Sequence, residues 1–170
     1  IESAAGLRAG SGGLYRHFSS KRELLDHGVR EQLASQRELV EFLADPGGLS
    51  RLPLRERLAA MAAAGLERLD RERDLNRIIL RDLRFFPELL ELVRADEMNR
   101  IQGVLSGWLE RQVEPTPPGV DWDALAAVLM GGISHYWVLR DSMVSHPSGV
   151  DERRYIDAMV DLVTARLEAS

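Results

Sequence analysis

Apolar residues along this chain recur in helical stripes, separated by breaks rich in proline and glycine. Leu25, Val29, Leu33 and the group Leu39 to Leu43 keep helical spacing with no proline between them. They predict one helix over Lys21 to Ala44, ended by Asp45-Pro46-Gly47-Gly48. Pro53 suits a first helical position, and Leu58, Met61, Ala62, Gly65, Leu66 and Leu69 then fall on one face, which includes small residues. A charged stretch from Asp70 to Asp74 leads into a helix through Leu75, Ile78, Ile79, Leu83 and Phe86, which Pro87 ends while starting the next. From Pro87 to about Val113 the stripe Leu90, Val93, Ile101, Leu105, Trp108 and Leu109 predicts one long element with a polar interval at Asp96 to Arg100. Pro115, Pro117, Pro118 and Gly119 enforce a break, after which Asp121 or Asp123 can cap a helix that is apolar on nearly every face from Ala124 to Leu139. His146-Pro147-Ser148-Gly149 stops it. A last helix from Asp151 carries Tyr155, Ile156, Met159, Val160, Val163 and Leu167. No segment alternates with period two long enough to read as a strand, so the expected fold class is all-α.

The densest signals lie in AGLRAGSGGLYRHFSSKRELL, residues 5 to 25. Gly6 can end a helix in the left-handed region, and Ser11 or Gly12 opens a second one. On that second helix Leu14 and Phe18 are four apart and face inward together. Gly13, Arg16 and His17 are left on other faces, with Tyr15 at the rim. Ser20 and Glu23 fit a capping box, so a third helix starts near Lys21, where an ammonium and free helix-end N–H groups can hold a phosphate.

The order A-x-G-hydrophobic, turn, L-Y-x-H-F, S-x-K-x-x-L-L resembles the DNA-binding domain of TetR-type transcriptional regulators over about the first 28 positions. The resemblance implies a helix-turn-helix head over 1–28, followed by a helical ligand-binding and dimerisation body over 29–170. It implies DNA contacts from Gly13, Tyr15, His17 and Lys21, to which the outward-facing reading adds Ser11 and Arg16. Between Gly6 and Leu14 the chain has two residues more than the commonest family spacing, so the turn is longer and Arg8 to Ser11 take no role by analogy. Ile1 falls inside what would be the family's second helix, and a first helix is expected to precede it.

Charge is unevenly spread. The 170-residue chain has a formal net charge of −5, yet residues 1 to 22 carry Arg8, Arg16, Lys21 and Arg22 against Glu2, a net of +3. A small basic head on an acidic body suits a modular DNA binder and argues against a general polyanion binder. Zero cysteines exclude a disulfide framework and thiolate chemistry, in keeping with a reducing cytoplasm. The run Ala124 to Leu139 is shorter than the roughly 20 residues of a membrane span and is interrupted by Ser134 and His135. No H-E-x-x-H, G-x-x-x-x-G-K-[ST] or G-x-S-x-G motif is present, so neither an enzyme nor a cofactor is expected; His135 alone makes no metal site.

In the body, the resemblance implies a ligand cavity, for which Met61, Arg81, Phe85, Leu105, Trp108, Met130, Tyr136 and Trp137 are the candidate lining. The bland reading of the same residues is a packed core. A helix apolar all round needs a neighbour on every side, so two copies are expected to pair through 123–143 and 151–168. Gly131 and Gly132 would permit close approach, with Ile156, Met159, Val160 and Val163 as the facing stripe. The expected function is a ligand-responsive, sequence-specific DNA-binding repressor acting as a homodimer on double-stranded operator DNA. The other class of protein compatible with this pattern is a helical small-molecule-binding or scaffold protein whose head does not read DNA.

Overall fold

The computed structural model describes residues 18–20, 22–30, 41, 43, 49–82, 85–93 and 98–168. All regular structure among them is helical. Residues 22–30 form a helical stretch, and Leu49–Arg51 a short 3₁₀ turn. They are followed by α1 (Leu54–Arg71), α2 (Arg73–Asp82), α3 (Pro87–Leu92), α4 (Asn99–Glu110), α5 (Trp122–Ser142) and α6 (Glu152–Glu168). The fold class is all-α, as the helical periodicity predicts.

Two compact units share the chain. One joins the described residues up to position 30 to those of 72–98; the other takes the rest up to Arg71 and everything from Asn99 onward. The division is discontinuous along the chain, each unit taking two separate segments. Its physical reason is a small apolar core in the first unit. Leu25 and Val29, one turn apart, bury against Leu89 and Val93, also one turn apart, with Phe86 and Leu92 packed alongside. Pro87 starts α3 because its fixed φ suits the first turn and its missing N–H costs nothing there.

In the second unit, α1 contributes Leu58, Met61, Ala62 and Leu66 to the core, and α4 contributes Leu105, Trp108 and Leu109. From α5 come Ala126, Leu129, Ile133, Tyr136 and Trp137, and from α6 Ile156, Val160, Val163 and Leu167. α5 lies against both α4 and α1, and α6 against α1. Gly65 sits on the small-residue face of α1, where an added Cβ would lie 3.5 Å from Ile133; a larger residue would hold the two helices apart. Asp121 caps α5 by accepting from the Ala124 N–H at 2.9 Å, and Asp151 caps α6 by accepting from the Arg154 N–H at 2.9 Å.

Two of the expected long helices are described in part. Of the element expected over Pro87 to Val113, residues 87–93 and 98–110 are helical, with Val93 and Met98 in wider π-helical turns, and 94–97 lies outside the described residues. Of the helix expected over Lys21 to Ala44, 22–30 is helical, as are Glu41 and Leu43; the intervening 31–40 lies outside the described residues.

Candidate functional site

The expected DNA-contacting residues Ser11, Gly13, Tyr15, Arg16, His17 and Lys21 lie outside the described residues. Next to them in the chain, Ser19, Ser20 and Glu23 build a capped helix start. The Glu23 N–H donates to Ser20 Oγ at 3.1 Å, the side-chain half of the capping box. Its reciprocal half is displaced by one residue: Glu23 Oε2 accepts from the backbone N–H and from the hydroxyl of Ser19, each at 2.6 Å, instead of from the Ser20 N–H. These hydrogen bonds from Ser19, side chain first and backbone second, hold the Glu23 carboxyl below its ordinary pKa. Phe18 is half-buried and packs at 5.3 Å between ring centroids against His27, one face of the helix that Ser20 starts. Arg22 pairs with Glu88 at 2.6 Å, tying the start of that helix to α3, while Arg30 grips Asp26 through two bonds of 2.8 and 3.0 Å. Both pairs are exposed, where solvent screens the attraction.

The candidate pocket residues divide between the units. Met61, Leu105, Trp108, Tyr136 and Trp137 are buried together in the core of the second unit, with Met130 partly buried against it. Arg81 and Phe85 belong to the first unit and are exposed, Phe85 at 64 %. The grouping therefore mixes core side chains of one unit with surface side chains of the other.

The residues of the candidate dimer stripe lie mostly inward within the single chain. Ile156, Val160 and Val163 are buried in the chain's own core, and Met159 packs against it. Gly132 faces inward too: an added Cβ would lie 2.8 Å from the Tyr155 hydroxyl. Gly131 is exposed, with nothing within 4 Å of an added Cβ. The reason is that α5 covers its bulkier stripe with α4 and α1, and α6 covers its own with α1, leaving a second, smaller-residue stripe outward. On α5 that outward stripe is Ala124, Ala127, Val128, Gly131, Ser134 and His135; on α6 it is Ala158, Leu162 and Ala165. Val128 and Leu162 are 70 % and 75 % exposed.

One polar cluster inside the second unit escaped the sequence reading. Arg140 on α5 donates from Nη2 to Asp70 Oδ2 at 2.5 Å and from Nη1 to Glu152 Oε2 at 2.6 Å. The other Asp70 oxygen accepts from the Trp137 indole N–H at 3.0 Å. Arg140 also lies 5.8 Å from the centroid of the Tyr136 ring, which stacks on Tyr155 at 4.3 Å and on His146 at 5.2 Å. Partial burial acts to lower the Arg140 pKa, but the hydrogen bond and charge of Asp70, followed by those of Glu152, raise it overall. Burial pushes both tyrosine hydroxyls above their ordinary pKa, that of Tyr136 against an opposing pull from Arg140. A signal for this cluster did exist in the sequence. Asp70 is a carboxylate in the last turn of a helix, where the helix dipole favours cations such as its neighbours Arg68 and Arg71 and disfavours negative charge.

Among the described residues no helix is long and apolar enough to cross a membrane, and no three histidine, aspartate or glutamate side chains group as a metal site. Comparison with protein-family models, with curated proteins and with solved structures finds no match to this chain.

Proposed function

We propose that the chain is a TetR-type, sequence-specific DNA-binding regulator of transcription, acting as a repressor that a small-molecule effector releases. The observation that carries the reading is the capped helix start at Ser20 and Glu23, immediately after the L-Y-x-H-F sequence of a basic head. A helix that begins there offers free N–H groups to a phosphate, and Lys21, the only lysine of the chain, stands at that start in the sequence. On this reading Tyr15, Arg16 and His17 address the major groove, with Ser11 and Gly13 close to the backbone. The second unit carries the effector response, for which Met61, Leu105, Trp108, Met130, Tyr136 and Trp137 supply an apolar lining.

The regulator acts as a homodimer, through the outward stripes of α5 and α6 around Val128, Gly131 and Leu162. The support for this is an exposed face built of alanine, glycine, valine and leucine, which two copies can bring close together across a two-fold axis. Two heads about 34 Å apart then meet successive major-groove faces.

Selection of bound sequences from random duplex DNA by the full gene product tests the reading. A sequence preference that weakens with salt is expected, with Lys21→Ala weakening all sequences alike and lowering the salt slope by roughly one contact per half-site. Tyr15→Ala and His17→Ala are expected to erode the preference itself. Absence of any salt-dependent preference over scrambled duplex removes the regulator and leaves a helical scaffold or small-molecule-binding protein.

A further inference from the structure

We propose that Asp70, Arg140 and Glu152 form a latch that holds the last turn of α1 onto α5 and α6, at the point where the chain passes from the second unit to the first. Asp70 is the penultimate residue of α1, and two positions later, at Glu72, the chain enters the other unit. A carboxylate there opposes the helix dipole, which Arg68 and Arg71 in the same turn complement, so a cation placed on Asp70 strengthens the hold on that turn. Asp70 meets a charged donor and a neutral one, Arg140 at 2.5 Å and the buried indole of Trp137 at 3.0 Å, both from a helix some 70 positions away.

The cluster can open without stranding a charge. Arg140 is held by carboxylates from two different helices, Asp70 at the end of α1 and Glu152 in the first turn of α6. When Asp70 leaves, Arg140 keeps Glu152. The Asp70 side chain is already 36 % exposed and the Arg140 side chain 21 %, so the carboxylate departs into water while the cation stays neutralised. A cation with a single buried partner would not permit this, because breaking such a pair strands its charge. A conflict between local helix preference and tertiary placement, relieved by one side chain, is the mark of a functional device more than of a packing element. Whatever shifts the corner between α5 and α6 thereby decides whether the end of α1 is held. The latch requires neither DNA nor an effector to be observed.

Hydrogen exchange, read by segment in the whole chain, tests it. Asp70→Asn keeps an acceptor for Trp137 but removes the charge. If only the local helix mattered, this change would slow exchange in the last turn of α1 by relieving the unfavourable dipole contact. The latch requires the opposite sign: exchange over 66–71 about tenfold faster, with α4 and the first half of α5 unchanged. Glu152→Gln leaves Arg140 to Asp70 alone and is expected to leave 66–71 unchanged or slower. Slower or unchanged exchange over 66–71 in Asp70→Asn, a rise in that variant spread evenly over α1, α5 and α6, or a Glu152→Gln variant matching Asp70→Asn would each overturn the latch.

Discussion

Thr164 is buried on α6, and among the described residues its hydroxyl meets no hydrogen-bond partner. A hydroxyl taken from water and left unmet is a standing cost, so Thr164→Val is expected to raise stability by about 1 kcal/mol. A urea midpoint that stays put or falls would show that the site tolerates the hydroxyl but not the methyl. At the other end of the chain, Glu23 is a carboxylate held below its ordinary pKa by Ser19. A lowered folded pKa adds stability above the unfolded value, which is lost as pH falls through the folded one. The Ser19 amide is therefore expected to lose protection from exchange as the solution is acidified below about pH 4, and Glu23→Gln to remove that dependence. A Ser19 amide insensitive to pH in this range would mean that the bond to Glu23 is not populated in solution.

Among the elements, α5 shows how two adjacent glycines take different roles. At Gly132 any side chain runs into the hydroxyl of Tyr155, which is itself stacked on Tyr136; Gly132→Leu is expected to cost about 1–3 kcal/mol by overpacking. Among the described residues nothing lies within 4 Å of a Cβ added at Gly131. Gly131→Leu is thus expected to leave the thermal stability of a single copy unharmed and to shift sedimentation toward monomer, if the outward face pairs two copies. The same mass for wild type and Gly131→Leu, at unchanged helix content, counts against pairing through α5. The helical stretch 22–30 depends on its cap in a comparable way: Ser20→Ala is expected to cost about 1 kcal/mol in the first unit, measurable as faster exchange over 22–30.

For the whole molecule, alkaline pH probes the tyrosine stack that joins α5 to α6. Tyr136 also donates its hydroxyl to the Val150 carbonyl at 3.2 Å, in the connection before α6. Both Tyr136 and Tyr155 have pKa values raised by burial. A raised folded pKa gives stability that is complete below the unfolded value and lost as pH rises through the folded one. Stability is therefore expected to hold up to about pH 10 and to decline above it, with Tyr155→Phe reducing the slope. A slope identical in Tyr155→Phe would place the alkaline sensitivity outside this stack. The charge contrast between a basic head and an acidic remainder belongs to this scale as well, since it sets where a polyanion would approach.

The all-α class, the break at Pro115 to Gly119, the helix starts near Pro53, Pro87 and Asp151, and the caps at Ser20 and Asp121 were legible in the sequence, because each rests on periodicity or on a side chain within four residues of its target. Periodicity also marked α5 as apolar all round and α6 as striped, but it could not say which stripe faces inward. That choice belongs to distant neighbours, and it put Ile156, Val160 and Val163 in the core while leaving Val128, Gly131 and Leu162 outside. The division of the chain into units was hidden for the same reason: Leu25 and Val29 find their partners some 60 positions away, at Leu89 and Val93. Asp70 marked a carboxylate at an unfavourable helix end, but only the packing of α5 against α1 brought Arg140 and Trp137 within reach of it. Local hydrogen bonding and hydrophobic spacing act within a turn or two and can be read residue by residue. Burial and charge pairing across the core depend on distances that no single stretch of the chain contains.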